Sequence, residues 1–471
     1  MMRFVSIEKK DPDKREARER SQDFKEIETL FANNSAKEQA SRCCQCGVPM
    51  CQVHCPLENN IPDWLKALAN GQEKEAYRLV AETNTFPEIC GRICPQDRLC
   101  EGFCVLHRQH GSITIGAIEK YLTEKAWEEK WVQAPHPEDE QTQSVGIIGA
   151  GPAGLAAAES LRRKGYQVHI YDRYDRPGGL LTYGIPSFKL EKTVIERRIE
   201  SYKDAGIQFH CNFEVGKTAR LQELRKRHGA LLIATGVYKA RPLHIPGTDL
   251  RGVVEALEYL VKTNRQELDC TPIGGEDDLY NARDKNVVII GGGDTAMDCA
   301  RTAIRQKAKS VTVLYRRNRE NMPGSQKEVK NADEEGVVFQ WLAAPVAYIS
   351  DSTINTISKV QFIRMQIGLS DANGRRTVNP VEGSEQYLPA DLLIHALGYE
   401  PEDLPRMFDE PSLKVTSWGT LVIDKETCQT SLDGVFAAGD IVRGASLVVW
   451  AIKDGRMAAD KMHQHIQKNF N

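Results

Sequence analysis

The stretch Val145-Gly-Ile-Ile-Gly149-Ala150-Gly151-Pro152-Ala153-Gly154 decides the fold. A short apolar run leads into a turn of three glycines, and an alanine-rich helical pattern follows. In such a turn Gly149 permits the tight bend, Gly151 lets the backbone approach a pyrophosphate, and Gly154 lets helix and strand pack closely. Pro152 suits the first helical position, where its missing N–H is no loss. The helix N-terminus then offers backbone donors and a positive dipole end to phosphates. The next strand, Gln167 to Tyr171, ends at Asp172, an acceptor suited to ribose hydroxyls. Glycines alone would be a weak signal; strand, turn, helix and acid in this order make a dinucleotide site.

The pattern recurs downstream in Val287-Val-Ile-Ile-Gly291-Gly-Gly293-Asp294-Thr295-Ala296, with alanine as the third small residue. Each copy is followed by a strand that runs into a glycine: Leu231-Leu-Ile-Ala-Thr-Gly236 and Leu392-Leu-Ile-His-Ala-Leu-Gly398. Two related nucleotide-binding domains explain the echo. After the second turn, the strand Ser310 to Leu314 leads into Tyr315-Arg316-Arg317-Asn318-Arg319. Arginines thus stand where an NAD site places an acid, and a guanidinium there pairs with the 2′-phosphate of NADP. NADPH is expected over NADH, with Arg316 and Arg317 as its readers; a solvated basic turn is the bland alternative.

Apolar strands alternate with helical patterns from about residue 141 onward, which implies α/β units on parallel sheets. The 471 residues allow about three domains. A 41% hydrophobic, 27% charged composition excludes a mostly disordered or fibrous chain. The net charge of -3 offers no basic excess for nucleic acid or an anionic membrane. Met1 to Arg20 has no apolar core of the signal-peptide kind, and the uncharged stretch Ser144 to Ala158 falls short of the roughly 18 apolar residues of a span. A cytoplasmic protein without membrane or nucleic-acid partners is expected. Residues 8–28 mix both charges densely and read as a solvated helix or tail, or as a docking arm for a partner subunit. Gln133 to Glu140 is rich in Pro and acid and reads as a linker.

Nine of the thirteen cysteines precede residue 105. Cytosolic thiols stay reduced, so this concentration points to metal rather than disulfides. Cys43-x2-Cys46-x4-Cys51-x3-Cys55-Pro56 forms one run and Cys90-x3-Cys94-x5-Cys100-x3-Cys104 another. Short spacings present several thiolates to one cube, and Cys-Pro is typical of ferredoxin-like runs; zinc is the rival. Cys44 reads as a bystander. Cys211, Cys270, Cys299 and Cys428 are isolated and read as buried structural thiols. With no Cys-x-x-Cys in either nucleotide domain, a dithiol relay is unsupported, and electrons need another exit.

Arg176-Pro-Gly-Gly179-Leu180-Leu-Thr-Tyr-Gly-Ile-Pro186, continuing through Lys189, resembles the FAD domain of two-dinucleotide-fold flavoproteins. Gly434-Val-Phe-Ala-Ala-Gly439-Asp440 resembles that family's second FAD element, which implies that Asp440 and its backbone hold the ribityl–phosphate region. The FAD domain would then be split around an inserted NADPH domain. With the Cys43 run and Ser112-Ile-Thr-Ile-Gly-Ala-Ile-Glu119-Lys-Tyr121, the whole chain resembles the small (β) subunits of NADPH-dependent glutamate synthases. The same architecture forms the electron-entry portion of dihydropyrimidine dehydrogenase. The resemblance implies FAD, NADPH and two [4Fe–4S] clusters, and a large (α) subunit carrying FMN and amidotransferase chemistry. By resemblance to dihydropyrimidine dehydrogenase, Cys55 would join Cys94, Cys100 and Cys104. Cys43, Cys46 and Cys51 would then need a fourth ligand, with Glu119 and Cys90 as candidates and an ordinary helix-surface Glu as the alternative for Glu119.

The expected organisation is a mainly α-helical iron–sulfur domain over residues 1–140, FAD domain over 141–283 and 396–471, and NADPH domain over 284–395. Hydride transfer to flavin asks for stacking more than for an acid or base, so no catalytic side chain is expected. A subunit serving ferredoxin or a pyrimidine dehydrogenase partner is one alternative function. A zinc-stabilised assembly module is another.

Overall fold

The computed structural model describes residues 1–269, 278–351, 355–370 and 376–470; Cys270 lies outside them. The N-terminal part is helical: α1 (Ala17–Arg20), α2 (Asn33–Ser41), α3 (Met50–Val53), α4 (Ile61–Ala69), α5 (Glu73–Thr83), α6 (Pro87–Ile93) and α7 (Ile115–Glu128). In α4, Pro62 sits in the first turn and Ile61, Trp64, Leu65 and Leu68 recur at i, i+3, i+4 and i+7. That stripe is buried against Ala36, Ala40, Val80 and Leu122 of α2, α5 and α7.

The chain then enters the first α/β unit through β1 (Ser144–Ile148), α8 (Pro152–Arg163), β2 (Gln167–Tyr171), α9 (Leu180–Tyr183), α10 (Lys192–Asp204), β3 (Gln208–His210), α11 (Leu221–Arg227) and β4 (Ala230–Ile233). It leaves along β5 (Lys239–Ala240). The second unit is built from β6 (Val253–Glu255), α12 (Ala256–Leu268), β7 (Asn286–Ile290), α13 (Asp294–Arg305), β8 (Ser310–Tyr315), α14 (Gln326–Glu334) and β9 (Val338–Trp341). Four strands follow, β10 (Ala343–Asp351), β11 (Thr356–Ser370), β12 (Arg376–Pro380) and β13 (Gln386–Pro389), before β14 (Leu392–His395). The return runs through β15 (Tyr399–Glu400), α15 (Leu404–Met407), β16 (Val435–Ala437), α16 (Asp440–Arg443) and α17 (Val448–Phe470).

The first sheet has the order β16-β4-β1-β2-β3 and the second β6-β14-β7-β8-β9, all pairs parallel. Four of the five residues of β1 and of β7 are buried, as strands covered by helices on both faces must be. Two Rossmann-like units with the second inserted into the first, preceded by a helical domain, is the expected fold class. β16, contributed by the C-terminal segment, closes the first sheet beside β4, so that unit is split.

The expected boundary at 283/284 needs correction. β6 pairs with β14 across Val254↔Ile394, so residues 253–268 belong to the second unit rather than to the flavin half ending at 283. The inserted unit begins after β5, whose antiparallel pairing with β15 (Tyr399↔Ala240, Glu400↔Lys239) makes a two-pair ribbon between the units. The antiparallel sheet β10–β13 is an addition that the alternating pattern did not announce.

Candidate flavin, nucleotide and cysteine sites

The first glycine turn joins β1 to α8. Gly149 has φ +109°, and a Cβ there would lie 2.4 Å from the Ala234 carbonyl oxygen, so only glycine fits. Gly154 is the close-packing residue: a Cβ on it would meet the Gly149 carbonyl oxygen at 2.0 Å. Gly151 differs. Its backbone is extended (φ -79°, ψ -176°), and a Cβ there would meet no protein atom within 4 Å. Neither conformation nor protein packing asks for glycine at 151; a ligand lying against the backbone does.

Around this turn the chain folds two further segments. Gly178 donates its N–H to Ala150 O (2.8 Å), and Gly179, at φ +54°, starts α9 at Leu180 so close that a Cβ would lie 2.8 Å from Gly151 Cα. Gly439 brings the C-terminal element in: its Cβ would stand 2.9 Å from Ala153 Cβ. Asp440 opens α16 and accepts a bond from Ser446 Oγ at 2.8 Å. α17 crosses α8 where Gly455 abuts the Ala153 carbonyl.

Beside the turn lies a cavity lined by Gly149, Asp172, Arg173, Tyr174, Thr235 and Tyr238, among others. It sits at the carboxyl ends of β1, β2 and β4, where open parallel sheets take their ligands. Asp172 is buried; its Oδ2 accepts from Ala150 N (2.7 Å) and its Oδ1 from Tyr174 N (2.8 Å). Burial pushes its carboxyl up, and the two N–H groups work against that. Thr235 Oγ1 is buried without a partner on this cavity wall, an orphan that a ligand would satisfy. Arg173, Tyr238 and Glu402 were not foreseen: Arg173 stacks on Tyr238 at 4.6 Å and pairs with Glu402 at 2.9 Å. Tyr238 lies two residues past Gly236 of the Ala-Thr-Gly turn, which could have signalled it. Glu402 comes from beyond the insertion, with no local signal.

The second turn repeats the geometry. A Cβ at Gly291 would meet Ala396 O at 2.3 Å, whereas one at Gly293 would again meet nothing within 4 Å, on an extended backbone (φ -89°, ψ 178°). Asp294 and half-buried Thr295 begin α13, and Ala296 is buried beneath the turn. Asp294 Oδ1 accepts from Ser325 N at 2.8 Å, and Gly324 N donates to Gly292 O at 3.0 Å. Arg316 is exposed just past β8, and half-buried Arg317 donates to Arg376 O at 3.1 Å. Gly236 and Gly398 both have positive φ and stand just before β5 and β15, so each turns its strand into the ribbon. Lys189 sits at neither glycine turn; its Nζ bonds Asp298 of α13 at 2.9 Å.

The cysteines line two cavities. One holds Cys55, Cys90, Cys94, Cys100 and Glu119 and is walled by Val449 of α17. The other holds Cys43, Cys44, Cys46, Cys51 and Cys104. The grouping drawn from dihydropyrimidine dehydrogenase is therefore corrected: Cys104 faces Cys43, Cys46 and Cys51, because the turn after Cys100 carries the chain to the far side of the buried Ile115. Burial pushes Cys51 up to about 12 and Cys55 to about 11, so these thiols keep their protons until a metal displaces them. Trp64 is fully buried on the first cavity and its indole N–H has no acceptor, which suits the sulfides of a cluster. Four thiols around one cavity and five around the other fit iron–sulfur clusters, whose thiolates stand apart around a cube.

Residues 20–131 match the family model described as dihydropyrimidine dehydrogenase domain II, 4Fe-4S cluster, and residues 143–455 match pyridine nucleotide-disulphide oxidoreductase. The glutamate synthase [NADPH] small chain of Azospirillum brasilense is 59% identical over 466 residues, covering 99% of this chain and 96% of the relative. This chain belongs to the glutamate synthase [NADPH] small-chain family. The small chain of Escherichia coli K12 is 44% identical over 460 residues, covering 97% of each. Among solved structures, Mycobacterium tuberculosis FprA in complex with NADPH aligns with TM-score 0.56 and 19% identity over 70% of this chain and 85% of that one, which establishes a common fold. This small chain thus carries a 4Fe–4S domain ahead of an FAD- and NADPH-binding oxidoreductase fold. Among the described residues its nucleotide units hold no thiol pair: Cys299 and Cys428 are buried in different cores, and Cys211 is half-buried. No described helix is long and apolar enough to cross a membrane.

Proposed function

We propose that this chain is the electron-entry subunit of an NADPH-dependent glutamate synthase, which oxidises NADPH and delivers the electrons to a large subunit making L-glutamate from L-glutamine and 2-oxoglutarate. The observation that carries the reading is the pair of open glycines, Gly151 and Gly293, in one chain with two cysteine cavities. FAD, when bound, supplies the conversion between hydride transfer and single-electron transfer. The chain's residues do the rest. The turns at 149–154 and 291–296 would hold pyrophosphates on the N-termini of α8 and α13. Asp172 fixes the first turn and would accept from a ribose, Gly178–Gly179 and Gly439 would help hold the flavin nucleotide, and Arg316 would read the 2′-phosphate.

The two cysteine-lined cavities support a count of two [4Fe–4S] clusters. Cys43, Cys46, Cys51 and Cys104 would hold one. Cys55, Cys94 and Cys100 would hold the other, with Glu119 as fourth ligand. Glu119 is buried, accepts only from Asn84 (3.0 Å) and Asn59 (3.4 Å), and pairs with no cation among the described residues; burial raises it to about 8. A buried acid without counter-charge is costly, and iron would offset that cost. Cys90, in contrast, bonds Asn84 and packs into the core of the flavin unit. The cavity touching Val449 is the one nearer the flavin unit, so the Cys43 cavity is the exit. Around it Val48, Val53, Phe103 and Val105 are exposed, which supports docking of the large subunit there.

The test is reconstitution with the large subunit, measuring glutamate formed from glutamine, 2-oxoglutarate and NADPH. Activity that needs both chains supports the reading. Reduction of ferredoxin or a pyrimidine by this chain, without glutamate formation, would transfer the module to a different partner.

A further inference from the structure

Residues 13–29 form a closed loop that neither nucleotide site uses. Backbone bonds pin its ends, Thr29 N to Asp13 O (3.0 Å) and Arg15 N to Ile27 O (2.9 Å), and Arg15 pairs with Asp23 across it at 2.5 Å. Its dense charge reads in the sequence as a solvated tail or an arm for another subunit. In the fold it touches all three parts of its own chain. Glu26 takes Arg92 and Lys120 of the helical domain, each at 2.6 Å, and exchanges bonds with Glu191 of the flavin unit at 3.3 and 3.4 Å. Toward the inserted unit, Arg20 is only 2% exposed and reaches Glu335 (3.0 Å) and Glu334 (2.6 Å) of the α14 region. Lys14 bonds Glu334 (2.8 Å) and Glu28 bonds Lys327 (2.8 Å).

Glu335 is also gripped by Arg301 (2.9 Å) and Arg305 (2.6 Å) of α13, and Glu328 by Arg301. Burial opposes ionisation of Glu335, but the arginines win and hold it down to about 2. The same two guanidiniums lie over the ring of Phe188, at 4.4 and 3.9 Å, and the next residue, Lys189, bonds Asp298. Phe188 continues directly from the flavin-side segment 176–186. Helices α13 and α14 are therefore held by the flavin unit on one side and by the 13–29 loop on the other.

Such holding matters because the two-pair ribbon β5–β15 is the one strand pairing between the nucleotide units among the described residues. The other ties are side-chain contacts such as Arg265–Asp175 (3.0 Å), Asn264–Tyr183 O (2.9 Å) and Arg98–Asp294 (3.5 Å). A connection of a few residues at element ends is what absorbs rotation in hinged enzymes. Hydride transfer needs contact-distance alignment, and a misplacement of about 1 Å costs about a hundredfold in rate.

We propose that the 13–29 loop, through Arg20, fixes the inserted unit in the orientation that permits hydride transfer, making Arg20 a positioning residue for the NADPH-to-flavin step. This rests on reading the two glycine turns as the FAD and NADPH sites. The arm of the iron–sulfur domain then governs a reaction in which no iron takes part.

The experiment compares holoenzyme carrying Arg20→Met or Lys14→Met with the unaltered protein. FAD and iron content, amide exchange by mass spectrometry, NADP+ affinity, and anaerobic flavin bleaching by NADPH are measured on each. The expected result is faster exchange in 294–305 and 326–335, bleaching slowed about tenfold in Arg20→Met and less in Lys14→Met, and unchanged NADP+ affinity. Wild-type exchange and bleaching in variants with full FAD and iron overturn the proposal. Should Arg20→Met lose its cofactors, Lys14→Met decides on the same two readouts. Failure of NADPH to bleach even the unaltered flavin sinks the reading of the two sites, and the proposal with it.

Discussion

The two glycine turns are near copies with different surroundings. Behind each, a carbonyl bars any side chain: Ala234 O from Gly149 and Ala396 O from Gly291. In front of each, the middle glycine faces open space. Yet the first turn is walled by Gly178–Gly179 and by Gly439 from two distant segments, while Gly324 and Ser325 bond at the second, to Gly292 O and Asp294. A wall made of two distant segments suits a resident group that stays through turnover. A turn met by one segment suits a substrate that must enter and leave. On the proposed reading one phosphate-binding device would serve two kinetic roles, distinguished by enclosure rather than by the turn.

Four substitutions or conditions would break or sharpen this contrast. The largest effect belongs to Gly154→Val, whose side chain collides with the Gly149 carbonyl. It should lose flavin on purification and about 3 kcal/mol or more of stability, measured by absorbance and denaturant melts. Next comes Gly293→Glu. A Cβ there meets no protein atom within 4 Å, so the melting temperature should hold while the added charge weakens NADPH about a hundredfold in titration calorimetry. A matching loss of stability would show that the space is filled by protein. Arg316→Ala should weaken NADPH about tenfold and leave NADH unaltered; equal losses would dismiss its 2′-phosphate role.

The smallest effect concerns acid stability of the flavin unit. Beneath its sheet, His228 bonds Ser144 Oγ (2.8 Å) and Tyr171 OH (2.9 Å), and His169 bonds His210 (3.1 Å). Burial, with a small push from His169, lowers His228 to about 4. Its folded value lies below the unfolded one, near 6.5, so the unfolded chain binds more protons in between. Stability should therefore decline as pH falls from about 6.5 toward 4. Thermal release of flavin at stepped pH should show that slope, shallower in His228→Gln.

The sequence disclosed those features whose parts are neighbours along the chain. Both glycine turns, the acid after β2 and the arginines after β8 are local patterns, and each lies at the strand end its spacing suggested. What stayed hidden depends on distant partners. Val253–Glu255 is three residues long and becomes part of the second sheet only by pairing with β14, some 140 residues later. Cys104 ends a run that begins at Cys90, yet a turn carries it to the other cavity. Lys189 belongs to a flavin-binding segment by sequence, but its buried partner Asp298 lies 109 residues away. Arg20 looked solvated because nothing near it reveals Glu335.

The central claim is that one chain takes electrons from NADPH into a bound flavin and onward to iron–sulfur centres. Its most direct test is anaerobic titration of the purified holoprotein with NADPH, following flavin absorbance and low-temperature electron paramagnetic resonance together. Bleached flavin together with reduced-cluster signals, one set of which is lost in Cys94→Ala, is the predicted result. Flavin that NADPH leaves oxidised, in protein replete with FAD and iron, would contradict it.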